Sequence, residues 1–554
     1  MGPQAAQPRY ARLVRALRTQ AYASFGGVLV GVGFLAISLT PSLLPRTWLV
    51  QGLISGVSTA TGYAIGTLLG RLVPLRLPAR VRRFGWYTVA GLGLPLLGTL
   101  AYQSSRWQRG LYTLMGEPPP TRIGYLRVCL VTVAVFVVVL AVARAMRAAA
   151  RRLSRVFAGA LPVRSAQAAG AVLVALVSMG LLDAAVYDPA MSFAVASSES
   201  LNDELRPQMI APTEDTRSGG PGSALSWASL GLEGRAFVSS GPSVGLLRGF
   251  SGRAPKPPIR VYAGLRSAPD LSAGAALAVR ELERTGAFTR QVLCVITTTG
   301  TGWVDPRAAE ALEYLYNGDS ALVAIQYSYL PSWLSYVVER EKAEAAGREL
   351  FNQVYARWSR LPPEHRPRLL LFGESLGSLG GEAAFPDLDD LRQRVDGILW
   401  AGPLAANRLW STLVAARDPG TSQVRPSYQQ GRTVRFVTRP ADLTNPTGPW
   451  PTPRVVYVQH ASDPITWWSP ALAVRRPDWL REPRGPDVSP AMRWYPFVTF
   501  WQVTADLVLA HETGLGHGHR YGGELAMAWA AIAAPPGWSA ADTGRLARLI
   551  DTHG

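Results

Sequence analysis

The stretch RLLLFGESLGS (residues 368–378) places one serine directly after an apolar run. The run Leu369–Phe372 is typical of a buried strand. Gly373 and Gly377 stand two residues before and two after Ser375, which is the G-x-S-x-G pattern of a sharp strand-to-helix turn that exposes a serine hydroxyl. The pattern predicts an α/β domain with a nucleophilic serine at the edge of its sheet. The alternative is an ordinary tight helix–sheet crossing.

Strand and helix patterns alternate around this turn from about residue 257 onwards. Such alternation predicts a mostly parallel sheet flanked by helices. The predicted strands are 259–265, 291–299, 321–330, 368–373, 395–404, 433–438 and 454–460. The predicted helices ahead of the serine are 273–286, 306–317 and a long stretch from about 334 to 360.

A serine hydroxyl becomes a nucleophile with the help of a neighbouring base, and in this plan the acid follows the serine in sequence and the base comes last. Asp463 comes directly after the last predicted strand, where it would reach the same edge of the sheet as Ser375; an Asp-Pro turn is the alternative. The loop GLGHGHRYGG (514–523) supplies His517 and His519 as candidate bases. We favour His517, because the glycines on both sides of it suit a tight loop that aims the ring, and keep His519 as the alternative.

Backbone N–H groups must also stabilise the oxyanion that forms when a serine attacks an ester. The N–H of Leu376, at the start of the helix after the serine, is the first candidate donor. The second is the N–H of Gly300 or Thr301, in the loop TTTGTGW (297–303) at the end of the predicted strand 291–299. A phosphate-binding turn or an ordinary glycine turn is the alternative for this loop.

No cofactor or metal is expected from the sequence. His511, His517 and His519 lie close together, but no H-E-x-x-H motif or carboxylate-rich set accompanies them. The two cysteines, Cys129 and Cys294, lie far apart in apolar stretches, so they indicate neither a disulfide framework nor a cysteine metal site.

The first 190 residues hold a series of apolar stretches with few charges at their centres. About 20 such residues cross the roughly 30 Å hydrocarbon layer of a bilayer as a helix. The candidate spans are 25–45, 51–70, 86–102, 128–143 and 166–187. The sequence therefore predicts an α-helical transmembrane domain of about five spans over residues 1–190, a polar linker over 191–225 and a catalytic α/β domain over 226–554.

The placement of arginines orients these spans. The formal net charge is +18, and arginines cluster before the first span, between the second and third, and after the fourth. Because cytoplasmic loops carry the excess of basic residues, these clusters predict a cytoplasmic N-terminus. Five spans then place the catalytic half outside the cytoplasm, in a multi-pass protein of the cell membrane. With the charge explained by topology and no nucleic-acid-binding motif present, nucleic acid is not an expected partner, and the oligomeric state is left open.

Six motifs are spread over nearly the whole chain. They are SLTPSLLPR (38–46), TTTGTGWVDP (297–306), QYSYLPSWLS (326–335), GESLGS (373–378), HASDPITWW (460–468) and GHGHRYG (516–522). In these motifs the chain resembles the actinobacterial membrane-anchored alpha/beta-hydrolase family, whose members join a multi-span N-terminal domain to a C-terminal serine-hydrolase domain. The resemblance implies an α/β-hydrolase fold with a mostly parallel sheet and a serine hydrolase activity, and it names no substrate.

The expected substrate follows from the predicted location. A serine esterase held in a bilayer meets amphiphilic esters, so we expect hydrolysis of a membrane lipid or lipid-like cell-envelope ester through an acyl-serine intermediate. The alternatives are an acyltransferase that uses the same triad with a sugar or lipid hydroxyl as acceptor, and a non-catalytic membrane scaffold or transport accessory. The aromatic residues Tyr327, Tyr329, Trp333, Trp467 and Trp468 either line an acyl-binding cleft or fill the core.

Overall fold

A computed structural model describes residues 24–72, 79–121, 123–159, 162–206 and 209–552. The chain divides into two compact units. The first comprises the described part of Met1–Val174 with two later segments, Pro470–Arg476 and Ser489–Asp506; the second comprises Ala175–Ser469, Pro477–Val488 and Leu507–Gly554. Two short segments of the C-terminal half therefore belong with the N-terminal helices, which local sequence patterns do not predict.

The helices of both units are numbered in chain order. They are α1 Phe25–Ser38, α2 Trp48–Leu72, α3 Ala79–Leu114, α4 Tyr125–Phe157, α5 Val163–Leu182, α6 Asp188–Asp203, α7 Gly231–Ser239, α8 Val244–Ser251, α9 Leu271–Arg284, α10 Pro306–Leu315, α11 Ser332–Val338, α12 Arg340–Trp358, α13 Leu376–Glu382, α14 Leu388–Arg394, α15 Arg408–Ala415, α16 Pro464–Trp467, α17 Val498–Asp506, α18 Gly523–Ala533 and α19 Ala540–Thr552. A π-helical turn, Asp183–Tyr187, joins α5 to α6.

Four helical stretches in the described residues are long and apolar enough to cross a membrane: Trp48–Leu72, Arg83–Leu114, Tyr125–Phe157 and Val163–Asp203. They contain the last four of the predicted spans. The first predicted span, 25–45, is longer than the helix found there, because α1 ends at Ser38 after 14 residues. A helix of that length extends about 21 Å, less than the roughly 30 Å of a bilayer core. Pro41 and Pro45 follow it, and proline interrupts the backbone hydrogen bonding of a helix.

A buried ionic contact in the first unit joins the connection between α1 and α2 to α17. The side chains of Arg46 and Asp506 are fully buried, with Arg46 Nε 3.3 Å from Asp506 Oδ1. Asp506 also accepts hydrogen bonds from Ser42 Oγ at 2.9 Å and from Leu43 N at 3.1 Å. Because a buried charge is stable only when it is paired and hydrogen-bonded, these contacts fix the end of α17 in the first unit.

The second unit is built on a seven-stranded sheet in which all strands run parallel, in the order β1-β3-β2-β4-β5-β7-β6. The strands are β1 Ile259–Ala263, β2 Val292–Thr297, β3 Ser320–Ile325, β4 Arg368–Glu374, β5 Gly397–Ala401, β6 Val434–Val437 and β7 Arg454–Val458. Each overlaps one of the predicted strands, so the predicted parallel sheet is confirmed. Strands covered by helices on both faces have continuous apolar runs, which is why these segments are recognisable in the sequence.

The strand register brings the carboxyl ends of the central strands to one edge of the sheet. Thr297 of β2 pairs with Gly373 of β4, and Glu374 of β4 pairs with Ala401 of β5. The end of β5 in turn pairs with Val458, the last residue of β7. In open parallel sheets ligands bind beyond the carboxyl ends of the strands, so the loops after β2, β4, β5 and β7 form the candidate site.

The described parts of the segment 191–225, predicted as a polar linker, belong to the second unit. Helix α6 continues to Asp203. Further on, Ser218 N donates to Arg260 O at 3.0 Å, and Ser218 Oγ accepts a hydrogen bond from Tyr262 N at 3.0 Å, so the chain lies along β1. These contacts are made by polar groups, which leave no apolar period in the sequence. The segment was predicted to be a linker for that reason.

The buried side chain of Arg260, in β1, forms two 2.7 Å hydrogen bonds with Glu313 of α10. Removing one partner of a buried ion pair leaves the other charge unpaired, so we expect Arg260→Ala to lower the free energy of unfolding by about 3–5 kcal/mol. Denaturant unfolding of the full chain in detergent measures this. Arg266→Ala is the control, because its contacts with Glu199 and Asp203 are exposed and are expected to contribute less than about 1 kcal/mol. Equal losses in the two variants would contradict the prediction.

Candidate active site

Ser375 lies at the turn from β4 into α13, with φ +53° and ψ −123°. A positive φ is uncommon for a residue with a side chain and is typical of strained turns at functional sites. A Cβ on Gly373 would lie 2.4 Å from the carbonyl oxygen of Gly377, and a Cβ on Gly377 would lie 2.2 Å from that of Thr297. The two glycines therefore permit a close crossing of strand and helix that presents the serine at the carboxyl end of β4.

Asp463 follows β7 and caps α16, where its Oδ1 accepts a hydrogen bond from Ile465 N at 2.9 Å. Its Oδ2 lies 2.6 Å from His519 Nδ1 and accepts a hydrogen bond from the Tyr521 hydroxyl at 2.8 Å. The side chains of Asp463, His519 and Tyr521 are all buried. Asp463 and His519 thus form a buried carboxylate–imidazole pair.

The contact with Asp463 decides which nitrogen of His519 is basic. Burial alone would raise the pKa of Asp463, but the charge and hydrogen bond of His519, together with the Tyr521 hydroxyl, lower this pKa below its usual value. A carboxylate only accepts hydrogen bonds, so Nδ1 of His519 donates to Asp463, and in the neutral form of the ring the lone pair is on Nε2. Among the described residues Nε2 has no hydrogen-bond partner, and it is shielded from solvent.

The His519 ring lies beside the serine turn. Ser375 N donates to Ala401 O at 2.9 Å, and a Cβ on the next residue, Gly402, would lie 2.2 Å from His519 Cε1. Glu374, which directly precedes the serine, has its Oε1 3.9 Å from His519 Nε2. The structure therefore gathers the candidate nucleophile, base and acid around the carboxyl ends of β4, β5 and β7.

His517, the base that we favour from the sequence, has a different partner. Its Nδ1 is 3.8 Å from Asp487 Oδ2, and its side chain is partly exposed. Gly518, between the two histidines, has φ +55°, and the two rings contact different carboxylates. The contact with Asp463 belongs to His519, so we reverse the preference between the two histidines.

The predicted oxyanion donors lie in the loops next to the serine. Leu376 is the first residue of α13, where a backbone N–H has no acceptor within the helix. In the loop after β2, Gly300 N donates to Ser332 Oγ at 3.3 Å, whereas the N–H of Thr301 has no acceptor in the described parts of the chain. This loop starts beside the serine turn, because Gly377 packs against the carbonyl oxygen of Thr297.

A pair of buried carboxyl groups next to the His519 ring was not predicted from the sequence. Glu374 is the second residue of the G-x-S-x-G motif, and Asp305 caps α10 by accepting a hydrogen bond from Arg307 N at 2.6 Å. Burial raises the pKa of both carboxyl groups, and the charge of Asp305 raises that of Glu374 further. Both effects favour the protonated form of Glu374 over its carboxylate. The one feature of the sequence that could have pointed to this pair is the acidic residue Glu374 inside the G-x-S-x-G motif.

His511 packs against the proposed base, with the centroids of the His511 and His519 rings 5.1 Å apart. Burial, and then the charge of His519, lower the pKa of His511 to about 4, so its ring is uncharged at neutral pH. Among the described residues, no group of three or more His, Cys, Asp or Glu side chains is arranged to hold a metal ion.

The five aromatic residues considered for an acyl-binding cleft divide between core and surface. Tyr327 and Trp467 are buried in the core. Tyr329 and Trp468 are half-buried, and Trp333, on α11, is 68% exposed. Of the five, Trp333 is therefore the ring most available to a ligand.

Comparison with known proteins covers both halves of the chain. A model described as "Alpha/beta-hydrolase family" matches residues 259–546, more than half of the chain, and this range includes Ser375, Asp463 and His519. A second model, described as "Alpha/beta-hydrolase family N-terminus", matches residues 39–242. Comparisons with curated proteins and with solved structures find no match. The chain therefore belongs to the alpha/beta-hydrolase family described by these two models, and this membership suggests that it is a hydrolase.

Proposed function

We propose that this protein is a membrane-anchored serine esterase with Ser375 as nucleophile, His519 as base and Asp463 as the acid that orients the base. Family membership suggests the hydrolase class. The observation that carries the proposal is the 2.6 Å contact between Asp463 and His519 beside the serine turn. The strained backbone at Ser375 favours a catalytic role over that of a non-catalytic scaffold, since such strain clusters at functional sites.

The proposed reaction has two steps. In the first, Ser375 Oγ attacks the ester carbonyl carbon while His519 Nε2 takes the hydroxyl proton, and Asp463 stabilises the resulting imidazolium. The oxyanion accepts hydrogen bonds from the N–H groups of Leu376 and Thr301, and Nε2 then protonates the leaving alkoxide, which departs as an alcohol and leaves an acyl-serine. In the second step water attacks the acyl-serine with the same proton transfers, which releases the acid and restores the serine.

We propose an amphiphilic ester, from a membrane lipid or the cell envelope, as the substrate class. Four helical stretches suited to crossing a membrane support anchoring at a bilayer, where such esters concentrate. Helix α11 supports an apolar chain in the substrate, because its Trp333 and Val337 are exposed. Its first residue, Ser332, accepts a hydrogen bond from Gly300 N in the candidate oxyanion loop, so this apolar face lies near the proposed reaction centre.

The side of the membrane on which the second unit lies depends on the number of crossings. We propose the extracytoplasmic side, on the basis of the arginine clusters. The four longer stretches give an even number of crossings, so this location also requires α1 to cross, although its 14 residues extend about 21 Å, less than the thickness of a bilayer core.

Acyl transfer to a sugar or lipid hydroxyl is the second candidate. Ser375 is 7% exposed, His519 2% and Asp463 0%. Restricted access of water favours attack on the acyl-serine by a bound alcohol. Incubation with p-nitrophenyl butyrate and glycerol separates the two functions, because glyceryl butyrate in excess of free butyrate indicates transfer.

Fluorophosphonate labelling tests the proposed function, because the probe phosphonylates a serine that a neighbouring base activates. We expect the full-length protein in detergent to be labelled at Ser375, as located by peptide mass spectrometry. Labelling is expected to disappear in Ser375→Ala and to persist in the control Ser359→Ala, at the end of α12. A folded wild-type protein that remains unlabelled would contradict the proposal.

The same probe tests the proposed location. On intact cells, a membrane-impermeant fluorophosphonate is expected to label Ser375 without prior lysis. Labelling that requires lysis would place the second unit in the cytoplasm and leave the esterase proposal standing.

A further inference from the structure

The peptide of Gly518, directly before His519, is held from both sides. Its N–H donates to Ser462 Oγ at 2.9 Å, and its carbonyl oxygen lies 2.9 Å from His460 Nδ1. Gly518 has φ +55°, a conformation that glycine adopts readily. Two side chains of the HASD segment (460–463), which also carries the proposed acid, therefore fix the backbone that carries the proposed base.

A carboxylate lies behind each of these two side chains. Glu524 Oε1, on α18, is 3.1 Å from His460 Nε2. Asp487 Oδ2 accepts a hydrogen bond from the Ser462 hydroxyl and another, at 3.2 Å, from Ser462 N. The Ser462 hydroxyl thus gives its one hydrogen to Asp487 and accepts the Gly518 N–H with a lone pair.

His460 must be an imidazolium for both of its contacts to be hydrogen bonds. A carbonyl oxygen and a carboxylate oxygen only accept, whereas a neutral imidazole has a single N–H. The titratable groups that face the ring are Glu524, Asp487 and Tyr521, whose ring stacks on it with centroids 4.4 Å apart. Burial opposes the charge, but the hydrogen bond and charge of Glu524, followed by Asp487 and the Gly518 carbonyl, raise the pKa of His460 to about 8. His460 also lowers the pKa of Glu524, as expected for an ion pair.

We propose that His460 is a positioning residue for the proposed base: paired with Glu524, its imidazolium holds the Gly518 carbonyl and so keeps the His519 ring in its place beside the Ser375 turn. This inference rests on the proposed function, because it concerns the geometry of the same base. His460 acts through the backbone, since its two nitrogens are engaged by Gly518 and Glu524. Loss of its charge removes one of the two hydrogen bonds and loosens the peptide before His519.

The hydrogen bond from His460 to the Gly518 carbonyl oxygen is expected to weaken as the pH rises. The pKa of His460 in the folded protein, about 8, lies above the ordinary value of 6.5. The contribution of the ion pair is therefore fully present below pH 6.5 and is lost as the pH rises through about 8. Small misplacement of a catalytic group costs up to roughly 100-fold in rate, so we expect kcat to fall by about 10- to 100-fold across this range.

Profiles of kcat against pH for p-nitrophenyl butyrate, measured on full-length variants in detergent, test this proposal. Glu524→Gln keeps the shape of the side chain and removes its charge, and a nearby opposite charge shifts a pKa by about 1–3 units. In Glu524→Gln we expect the fall of kcat at alkaline pH, the alkaline limb of the profile, to occur at least about 1 pH unit lower than in wild type. We expect KM to stay within about twofold of wild type.

His460→Ala removes the titrating group. We expect its kcat to be about 10- to 100-fold below wild type at pH 6.5 and its profile to lack the limb near pH 8. His365→Ala is the matched control, because His365 is an exposed histidine whose Nδ1 lies 3.8 Å from Glu364, and we expect it to keep the wild-type profile.

An unchanged alkaline limb in Glu524→Gln overturns the proposal, and so does a His460→Ala enzyme whose kcat stays within about twofold of wild type. If the melting curve shows that His460→Ala does not fold, the Glu524→Gln profile decides alone. Failure of the proposed function is distinguishable, because the wild-type protein would then show no fluorophosphonate adduct at Ser375 and no Ser375-dependent rate.

Discussion

Replacing His519 by alanine is expected to lower kcat for p-nitrophenyl butyrate by roughly 10⁵- to 10⁶-fold, to the level of Ser375→Ala. In the proposed mechanism the imidazole removes the serine proton, and its Nδ1 is held 2.6 Å from Asp463 Oδ2. A nucleophile and its base act as one unit, so the loss of either removes nearly the same stabilisation of the transition state. The measurements are kcat and the rate of fluorophosphonate labelling of the full-length protein.

His517→Ala is the matched control in the same loop. Its ring is partly exposed and lies 3.8 Å from Asp487, so we expect kcat within about threefold of wild type, as for most substitutions outside the chemistry. The opposite pattern, in which His517→Ala is inactive and His519→Ala is active, would mean that the pairing of His519 with Asp463 has no catalytic role and would return the base to His517.

The sequence favoured His517 for its flanking glycines, but these glycines do not determine which of the two rings contacts Asp463. Both lie among glycines in GLGHGHRYGG (514–523). The choice depends on the positive φ of Gly518 and on contacts with Asp463 and Asp487, which are distant in the sequence. A contact between residues on separate loops leaves no periodic signal, so the identity of the base becomes visible only in three dimensions.

The features that could be predicted from the sequence are those that require particular residue types at neighbouring positions. Strands covered on both faces must be apolar throughout, and each of the seven strands was recognisable for that reason. The tight crossing at Ser375 requires Gly373 and Gly377, which makes this turn a local pattern as well. A carboxylate that follows a parallel strand must lie at the same edge of the sheet, and this places Asp463.

The features that the sequence did not reveal depend on single polar residues far apart. Arg46 and Asp506 are separated by 460 positions, and no sequence pattern predicts their contact. For the same reason, no pattern predicts that Ser489–Asp506 belongs to the first unit. The shorter α1 is a different case. Pro41 and Pro45 lie in the apolar stretch 25–45. The span was predicted from the apolar composition of this stretch, without allowing for the effect of proline on a helix.

The pKa values of the carboxyl groups around His519 are shifted in opposite directions, and this difference bears on their roles. Asp463 has a lowered pKa, because the His519 and Tyr521 hydrogen bonds outweigh its burial. Glu374 has a raised pKa, because burial and the charge of Asp305 both oppose its ionisation. Environments that separate the pKa values of neighbouring groups mark which one is the anion in a catalytic site. This difference supports Asp463 as the carboxylate that sets the tautomer of the proposed base.

Asp463→Asn is accordingly expected to lower kcat by roughly 10⁴-fold and to leave the fold intact. The amide has the same shape but presents an N–H group to Nδ1 of His519, so the hydrogen of the ring moves to Nε2. The lone pair that must accept the Ser375 proton is then lost, and the imidazolium loses its counter-charge. Because both effects act in the transition state, we expect KM to stay within about threefold of wild type.

Tyr521→Phe is the matched control for this prediction. Its hydroxyl donates to the same Asp463 oxygen at 2.8 Å, and its removal leaves the carboxylate in place, so we expect a loss of kcat of no more than about tenfold. Melting curves of both variants separate a loss of chemistry from a loss of structure. An Asp463→Asn enzyme with more than about a tenth of wild-type kcat would mean that the tautomer is set without this carboxylate. Glu374, with its Oε1 3.9 Å from His519 Nε2, would then be the next group to replace, as Glu374→Gln in the same background.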